Sequence, residues 1–272
     1  MRFDIITIFP GFFEGILAHG ILRRALKERL VTVEAHDLRE HAHDKHRTVD
    51  DRPFGGGEGM VLKPEPLAET LESLGLQVKT ARGSTSAGTR VILLSAQGQP
   101  FTQATARELA ELDRLVLICG RYEGVDERIN ELYCDMELSI GDYVLSGGEL
   151  AAAVVVDATA RLIPGVLGNE ASGEFESFGV TDDAIDLDVD GVPRSQHGAG
   201  GLLDYPHYTR PAEFRGLRAP EVLLNGDHAQ IRRWRREQQL RKTLHNRPDL
   251  LKRAVLNADD QKLLADMERS RS

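Results

Sequence analysis

The residues best suited to chemistry lie in two glycine-bearing stretches, GRYEGVDER from Gly120 to Arg128 and SIGDYVLSGGE from Ser139 to Glu149. Each follows a short apolar run, LVLICG at 115–120 and YCDMELSI at 133–140. A strand that ends in a glycine-rich loop and continues as helix is how open α/β sheets offer backbone amides to a ligand at their carboxyl edge. Glycine has no Cβ, so main chain can approach a flat or charged molecule closely. Between the glycines stand polar and aromatic groups: Tyr122, Glu123, Asp142 and Tyr143. Neither stretch is GxGxxG, and no GxxxxGK[ST] occurs, which argues against a nicotinamide dinucleotide or a nucleoside triphosphate held in the usual way. A third apolar run, RVILLSAQGQPF at 90–101, ends on Ser95, Gln97 and Gly98. It is either an ordinary βα turn or a third set of main-chain groups at the same sheet edge.

These loops need a sheet to carry them. Strand-like RFDIITIF, VTVEAHDL, RVILLS and RLVLICG alternate with helix-like FFEGILAHGILRRALKERL, PEPLAETLESLG, TQATARELAEL, YEGVDERINEL and ELAAAVVVDATARLI. Such alternation predicts a mainly parallel sheet flanked by helices. Two segments break the order. His41 to Met60 is polar, rich in His and Asp, and ends in Gly55, Gly56, Gly57 and Gly59 around Glu58; long loops of this kind are often functional. Residues 168–203, acidic and then glycine-rich, read as a flexible interdomain linker. Beyond it, PAEFRGL, DHAQIRRWRREQQLRKTLHN with Asp227 as N-cap, and LLKRAVLNADDQKLLADMERS predict a small α-helical domain over 204–272. The α/β domain then occupies 1–167.

The 272-residue chain is long enough for one large domain or two modest ones. Its mean hydropathy of −0.31 is that of a soluble protein, and no apolar run nears the roughly 20 residues that span a bilayer. MRFDIITIFP lacks a signal peptide's long apolar stretch. Cys119 and Cys134 show no metal-ligand spacing, and Cys119 reads as a buried thiol in a reducing cytoplasm. The net charge of −9 hides an asymmetry: residues 1–167 carry −7, 168–204 carry −8, and 205–272 carry +6. A basic module joined to an acidic body leaves nucleic acid open as a partner. Arg232, Arg233, Arg235 and Arg236 around Trp234 are expected on exposed helix faces, suited to phosphate, with the tryptophan turned inward.

Two other patterns carry less. Asp186, Asp188, Asp190 and Gly191 open like a calcium loop, but position twelve is His197 rather than Glu. His41, His43 and His46 near Asp44 lack a defined ligand frame. An acidic linker and a polar substrate loop are the better readings.

Together with DDRPFGGGEGM (50–60), GVLGNEAS (165–172) and GLLDYPHYTRP (201–211), the glycine stretches resemble the bacterial tRNA (guanine-N1)-methyltransferases over nearly the whole chain. About 20 residues between Phe178 and Gly201 are additional, and Glu58 stands where the family commonly has proline. The resemblance implies a SPOUT fold with a deep trefoil knot, an obligate homodimer with active sites shared between subunits, and a bent S-adenosylmethionine inside the knot. Nothing in periodicity shows a knot, and topology rules argue against one. Matched position by position, the cofactor residues are Leu93, Leu94, Ser95 and Gln97; Gly120, Tyr122, Glu123 and Gly124; and Ile140, Gly141, Asp142, Tyr143, Val144, Leu145, Gly147 and Gly148.

The resemblance further implies methylation of guanosine 37 of tRNA, beside the anticodon. Guanine N1 must lose its proton before it can attack, so a carboxylate is needed as base. Charge then develops on O6, where an arginine can stabilise it. The family's arginine matches Arg161. Its aspartate position reads Glu176, one methylene longer; Asp182 or Asp183 of the inserted stretch are the alternatives. Magnesium is implied as well, with ligands that cannot be read from the sequence. For the tRNA anticodon stem-loop, the expected contacts are His46, Gly56, Gly57, Gly59, Arg210, Arg232 and Arg233, with the base flipped out. Two alternatives keep the resemblance: a SPOUT enzyme for another RNA base or ribose, and an RNA-binding relative without catalysis.

Overall fold

The computed structural model describes residues 1–82, 88–168, 176–179, 200–254 and 256–269. Asp182 and Asp183, the acidic run at 186–191, His197 and the second half of GVLGNEAS (169–172) therefore lie outside the described residues. The chain divides into two compact units, Met1–Gly168 and Asn169–Ser272.

The first unit is built on a five-stranded sheet in which every neighbouring pair is parallel. Its strands are β1 (Arg2–Thr7), β2 (Thr32–Asp37), β5 (Thr89–Pro100), β6 (Arg114–Cys119) and β7 (Met136–Ser139), in the order β2-β1-β6-β5-β7. Parallel strands covered on both faces read as continuous apolar runs, which is why RFDIIT and RLVLIC stand out in the sequence. Alternate side chains go to opposite faces. Phe3, Ile5, Leu115, Leu117 and Ile92 enter one core with Val155 and Val156 of α6 (Glu149–Ala160). Ile6, Val116, Ile118, Val91 and Leu93 enter the other with Leu67 and Leu71 of α3 (Pro64–Ser73) and Ile129 of α5 (Glu127–Tyr133). A further flanking helix, α4 (Gln103–Ala110), is capped by Thr102, whose hydroxyl accepts from the Thr105 amide.

Several boundaries differ from the sequence reading. The stretch expected as one helix over 12–30 is divided into α1 (Glu14–Leu17) and α2 (Gly20–Lys27), with Gly20 at φ +61° at the break. The 41–60 loop is tied down at its middle: β3 (Asp50–Asp51) pairs antiparallel with β4 (Val61–Leu62), which follows it directly. The strand expected to stop near Ser95 continues to Pro100 with an irregularity. Leu94 and Gln99 both pair with Leu138, so residues 95–98 loop out between them.

A buried carboxylate fastens the other half of the sheet. Asp4, with no exposed surface, binds Arg114 at 2.7 Å, His36 at 2.7 Å and Arg2 at 2.8 Å. Burial alone would raise its carboxyl; hydrogen bonds from His36, Arg2 and Arg114 overcome that and hold it far below the ordinary carboxylate range.

The second unit contains α7 (His228–Asn246), α8 (Pro248–Leu251) and α9 (Ala258–Arg269). Asp227 caps α7 as expected, accepting from the Gln230 amide at 3.1 Å. PAEFRGL is not helical. It forms a hairpin of β8 (Glu213–Phe214) and β9 (Leu217–Arg218), with Arg215 and Gly216 both at positive φ in the turn. A two-residue turn with that backbone twist suits a hairpin, and the glycine that supplies it was the overlooked signal. The last stretch is two helices rather than one, and the Asn257 side chain accepts from the Asp260 amide at the start of α9.

Candidate active site

The loop-out at 95–98 within β5 and the loops after β6 and β7, three adjacent strands, meet around one cavity of about 330 Å³. Its wall includes Leu93, Leu94, Ser95 and Gln97 from the first loop, Gly120, Tyr122, Glu123 and Gly124 from the second, and Ile140, Gly141, Tyr143, Val144, Leu145, Gly147 and Gly148 from the third. Asp142 is the one nominated cofactor residue that does not line it. The sequence reading missed Ala96, Arg121, Val125, Glu127, Glu137, Leu138, Ser139, Ser146 and Ala151. Most flank the nominated residues and carried no signal of their own.

Backbone holds the loops in place. Gly148 N–H donates to the Gly120 carbonyl at 2.8 Å, joining the second loop to the third. Arg121 bridges antiparallel to Gly147. Two positions leave no room for a side chain. A Cβ on Gly98 would meet the Leu138 backbone at 2.5 Å, and one on Gly148 would meet Cys119 Cα at 2.7 Å. Ser139 sits at the end of β7, its hydroxyl donating to the Gly141 carbonyl at 3.0 Å. The third loop leaves Val144 87% exposed at its tip, with Tyr143 also exposed.

The 50–62 segment is stitched to the second loop. Glu123 N–H donates to the Met60 carbonyl, Leu62 N–H to the Gly124 carbonyl and Asp126 N–H to the Leu62 carbonyl, all at 3.0–3.1 Å. A hydrogen bond to Asp50 lifts the Tyr122 phenol above its ordinary value, with burial adding to the effect. Tyr122 itself holds a left-handed φ of +59°, a strained choice for an aromatic residue. Cys119, at the end of β6, is buried and free, and burial pushes its thiol well up, with Glu149 adding. That is an inert thiol.

The other nominated residues fall elsewhere. Arg161 is half-buried at the C-terminus of α6, its amide donating to the Asp157 carbonyl. Glu176 is half-buried in the second unit. Its carbonyl accepts from Gly179, Phe178 donates to the Leu202 carbonyl, and the Ser177 hydroxyl accepts from the Asp204 amide. His46, Gly56, Gly57, Gly59, Arg210 and Arg233 are exposed, and Arg232 is half-buried. Arg232 and Arg236, both half-buried, correct the expectation of four exposed arginines. Arg236 forms a two-point pair with Asp260 at 2.7 and 2.9 Å, because α7 turns Arg236, Gln239, Leu240 and Thr243 toward its own core. Trp234 is half-buried against Tyr208, edge to face at 6.2 Å. Among the described residues, Asp4, Glu34 and His36 bring ligand atoms within 4.8 Å of one another, but Arg2 and Arg114 already neutralise this group. No helix of the described residues is long and apolar enough to cross a membrane.

A parallel sheet with glycine-bearing loops closing a cavity over adjacent strand ends defines an α/β protein with a cavity at the edge where such sheets commonly hold ligands. The profile of the tRNA (guanine-1)-methyltransferase family matches residues 1–253. A protein of Koribacter versatilis named tRNA (guanine-N(1)-)-methyltransferase is 57% identical over 267 residues, 98% of each chain. Relatives of the same name from Geobacter metallireducens and Chloroflexus aggregans are each 48% identical, covering 100% of both chains in the first case and 98% of this chain and 95% of the relative in the second. The chain belongs to the tRNA (guanine-1)-methyltransferase family.

Proposed function

We propose that this protein transfers a methyl group from S-adenosylmethionine to N1 of guanosine 37 in tRNA. The observation that carries the reading is the convergence of three glycine-bearing loops on one cavity in a chain of this family. Cavities of about 300–1,000 Å³ are typical for small-molecule ligands, and the close backbone approach of Gly98 to Leu138 and of Gly148 to Cys119 holds the loops that form this one tightly together. When bound, S-adenosylmethionine supplies an electrophilic methyl on a sulfonium.

The chain's own residues supply the rest. Glu176 takes the proton from guanine N1, freeing the electron pair that forms the new N–CH₃ bond. Arg161 faces the negative charge that this loss moves onto O6. Both roles rest on the family resemblance. Magnesium is part of the proposal; Glu123, Glu127 and Glu137 line the cavity wall, but their carboxylates do not gather into one cluster that would define a ligand set. The basic unit, with Arg210, Arg232 and Arg233, would hold the anticodon stem-loop through phosphates. His46, Gly56, Gly57 and Gly59 of the first unit are further proposed RNA contacts. We further propose the SPOUT knot, a homodimer with shared active sites, and a cytoplasmic location.

Labelled S-adenosylmethionine and tRNA transcripts bearing G or A at position 37 test the reading. Label on N1 of G37, and none on the A37 transcript, is the expected result. Transfer to ribose or another base would replace the substrate assignment, and no transfer by the folded protein would leave a binding protein.

A further inference from the structure

Arg121 places a cation in the wall of a cavity proposed to receive a cation. Its guanidinium is one-fifth exposed and held on every side. Nη2 lies 3.0 Å from Glu149 Oε2, Nε lies 3.1 Å from the same oxygen, and Nη1 donates to the Ser146 carbonyl at 3.0 Å. The Phe9 ring covers it, with Cζ 4.7 Å from the ring centroid. Glu149 is 1% exposed, the first residue of α6, and accepts a second hydrogen bond from the Thr7 hydroxyl at 2.8 Å. Thr7 in turn accepts from the Phe9 amide at 2.9 Å. The end of β1, the loop after β6 and the start of α6 therefore share one buried acid.

We infer that Glu149 cancels the charge of Arg121 and fixes its side chain in the wall, so that the cavity accepts a ligand bearing a sulfonium cation. This rests on the proposed cofactor. Loop geometry alone would be served by any acceptor of Glu149's shape. Between two ligands of the same shape, the charge distinguishes only the charged one from the neutral one, and this separates the inference from a purely structural role. At an effective dielectric near 20, one unpaired unit charge about 10 Å from another shifts affinity by roughly tenfold.

The experiment compares S-adenosylmethionine with S-adenosylhomocysteine, which lacks the methyl and has a neutral sulfur. Both are titrated calorimetrically into the full-length protein. In Glu149→Gln, which keeps an acceptor for Thr7 and Arg121, affinity for the sulfonium compound is expected to fall about tenfold further than affinity for the neutral one. In Arg121→Gln the ratio moves the opposite way, because an unpaired anion is left in the wall. The double variant returns the ratio to within about threefold of wild type. Equal losses for both compounds in Glu149→Gln, or an unchanged ratio in Arg121→Gln, would overturn the inference. If Glu149→Gln does not fold, Arg121→Gln and the double variant decide it. Wild-type protein that binds neither compound would instead sink the proposed cofactor, a separate result.

Discussion

The two units approach their proposed ligands in opposite ways. In the first, the cavity is shaped by main chain: carbonyl-to-amide bonds between loops, two glycines with no room for a methyl, and an ion pair turned inward. In the second, α7 presents charged side chains, some exposed like Arg233 and Arg235, others like Arg236 spent on the fold. Backbone recognition is rigid and intolerant of added atoms. Side-chain charge is additive, screened by salt and replaceable. A protein that must bind one small molecule tightly and one polyanion reversibly has use for both.

Breaking the chemistry while sparing the cavity is expected to give the largest effect. Glu176→Gln should lower methyl transfer by on the order of 10² to 10⁴, with S-adenosylmethionine affinity in calorimetry unchanged. Full turnover would move the base elsewhere. Next comes the sheet's buried anchor. Asp4→Asn removes one partner of a buried charge cluster and should destabilise the first unit by about 3–5 kcal/mol. Because the native Asp4 carboxyl is held below its unfolded value, its contribution is present above about pH 4 and lost as pH falls through the native value. The wild type should therefore lose stability more steeply than Asp4→Asn on acidification, as read by chemical denaturation at stepped pH.

The remaining two sharpen the contrast itself. Gly148→Ala adds a Cβ against Cys119 Cα and should cost about 1–3 kcal/mol, with loss of cofactor affinity at any salt concentration. Arg233→Ala should weaken tRNA binding evenly across sequences and reduce the salt slope by about one, with cofactor affinity intact. If the alanine at 148 were neutral, or the change at 233 insensitive to salt, the division into backbone and side-chain recognition would not hold.

Much of the first unit was legible because parallel strands buried on both faces leave unbroken apolar runs, as in RLVLIC. The three loops followed from the glycines at the ends of such runs. What the sequence hid was pairing between distant segments. Glu149 looks like an ordinary acid in a first helical turn, and only the fold brings Thr7 and Arg121 onto it. Asp50 and Val61 gave no sign that they end a two-strand ladder. Arg236 could not be told from its neighbours without knowing where Asp260 would lie. The 213–218 hairpin was lost to helical spacing in PAEFRGL, although Gly216 marked a turn. The residues assigned as base and electrostatic partner, Glu176 and Arg161, came from family likeness alone, since neither stands in a pattern that local physics would single out.

The irregularity in β5 sets a rule for how this chain can vary. Leu94 and Gln99 share Leu138 as their ladder partner, with four residues set aside between them. Those four lie outside the ladder, so losing one would leave a shorter span to bring both Leu94 and Gln99 to Leu138 and would strain the bond from the Phe101 amide to the Ser139 carbonyl. Within that stretch Gly98 admits no side chain, and Ser95, Ala96 and Gln97 face the cavity, so both its length and its residues are constrained.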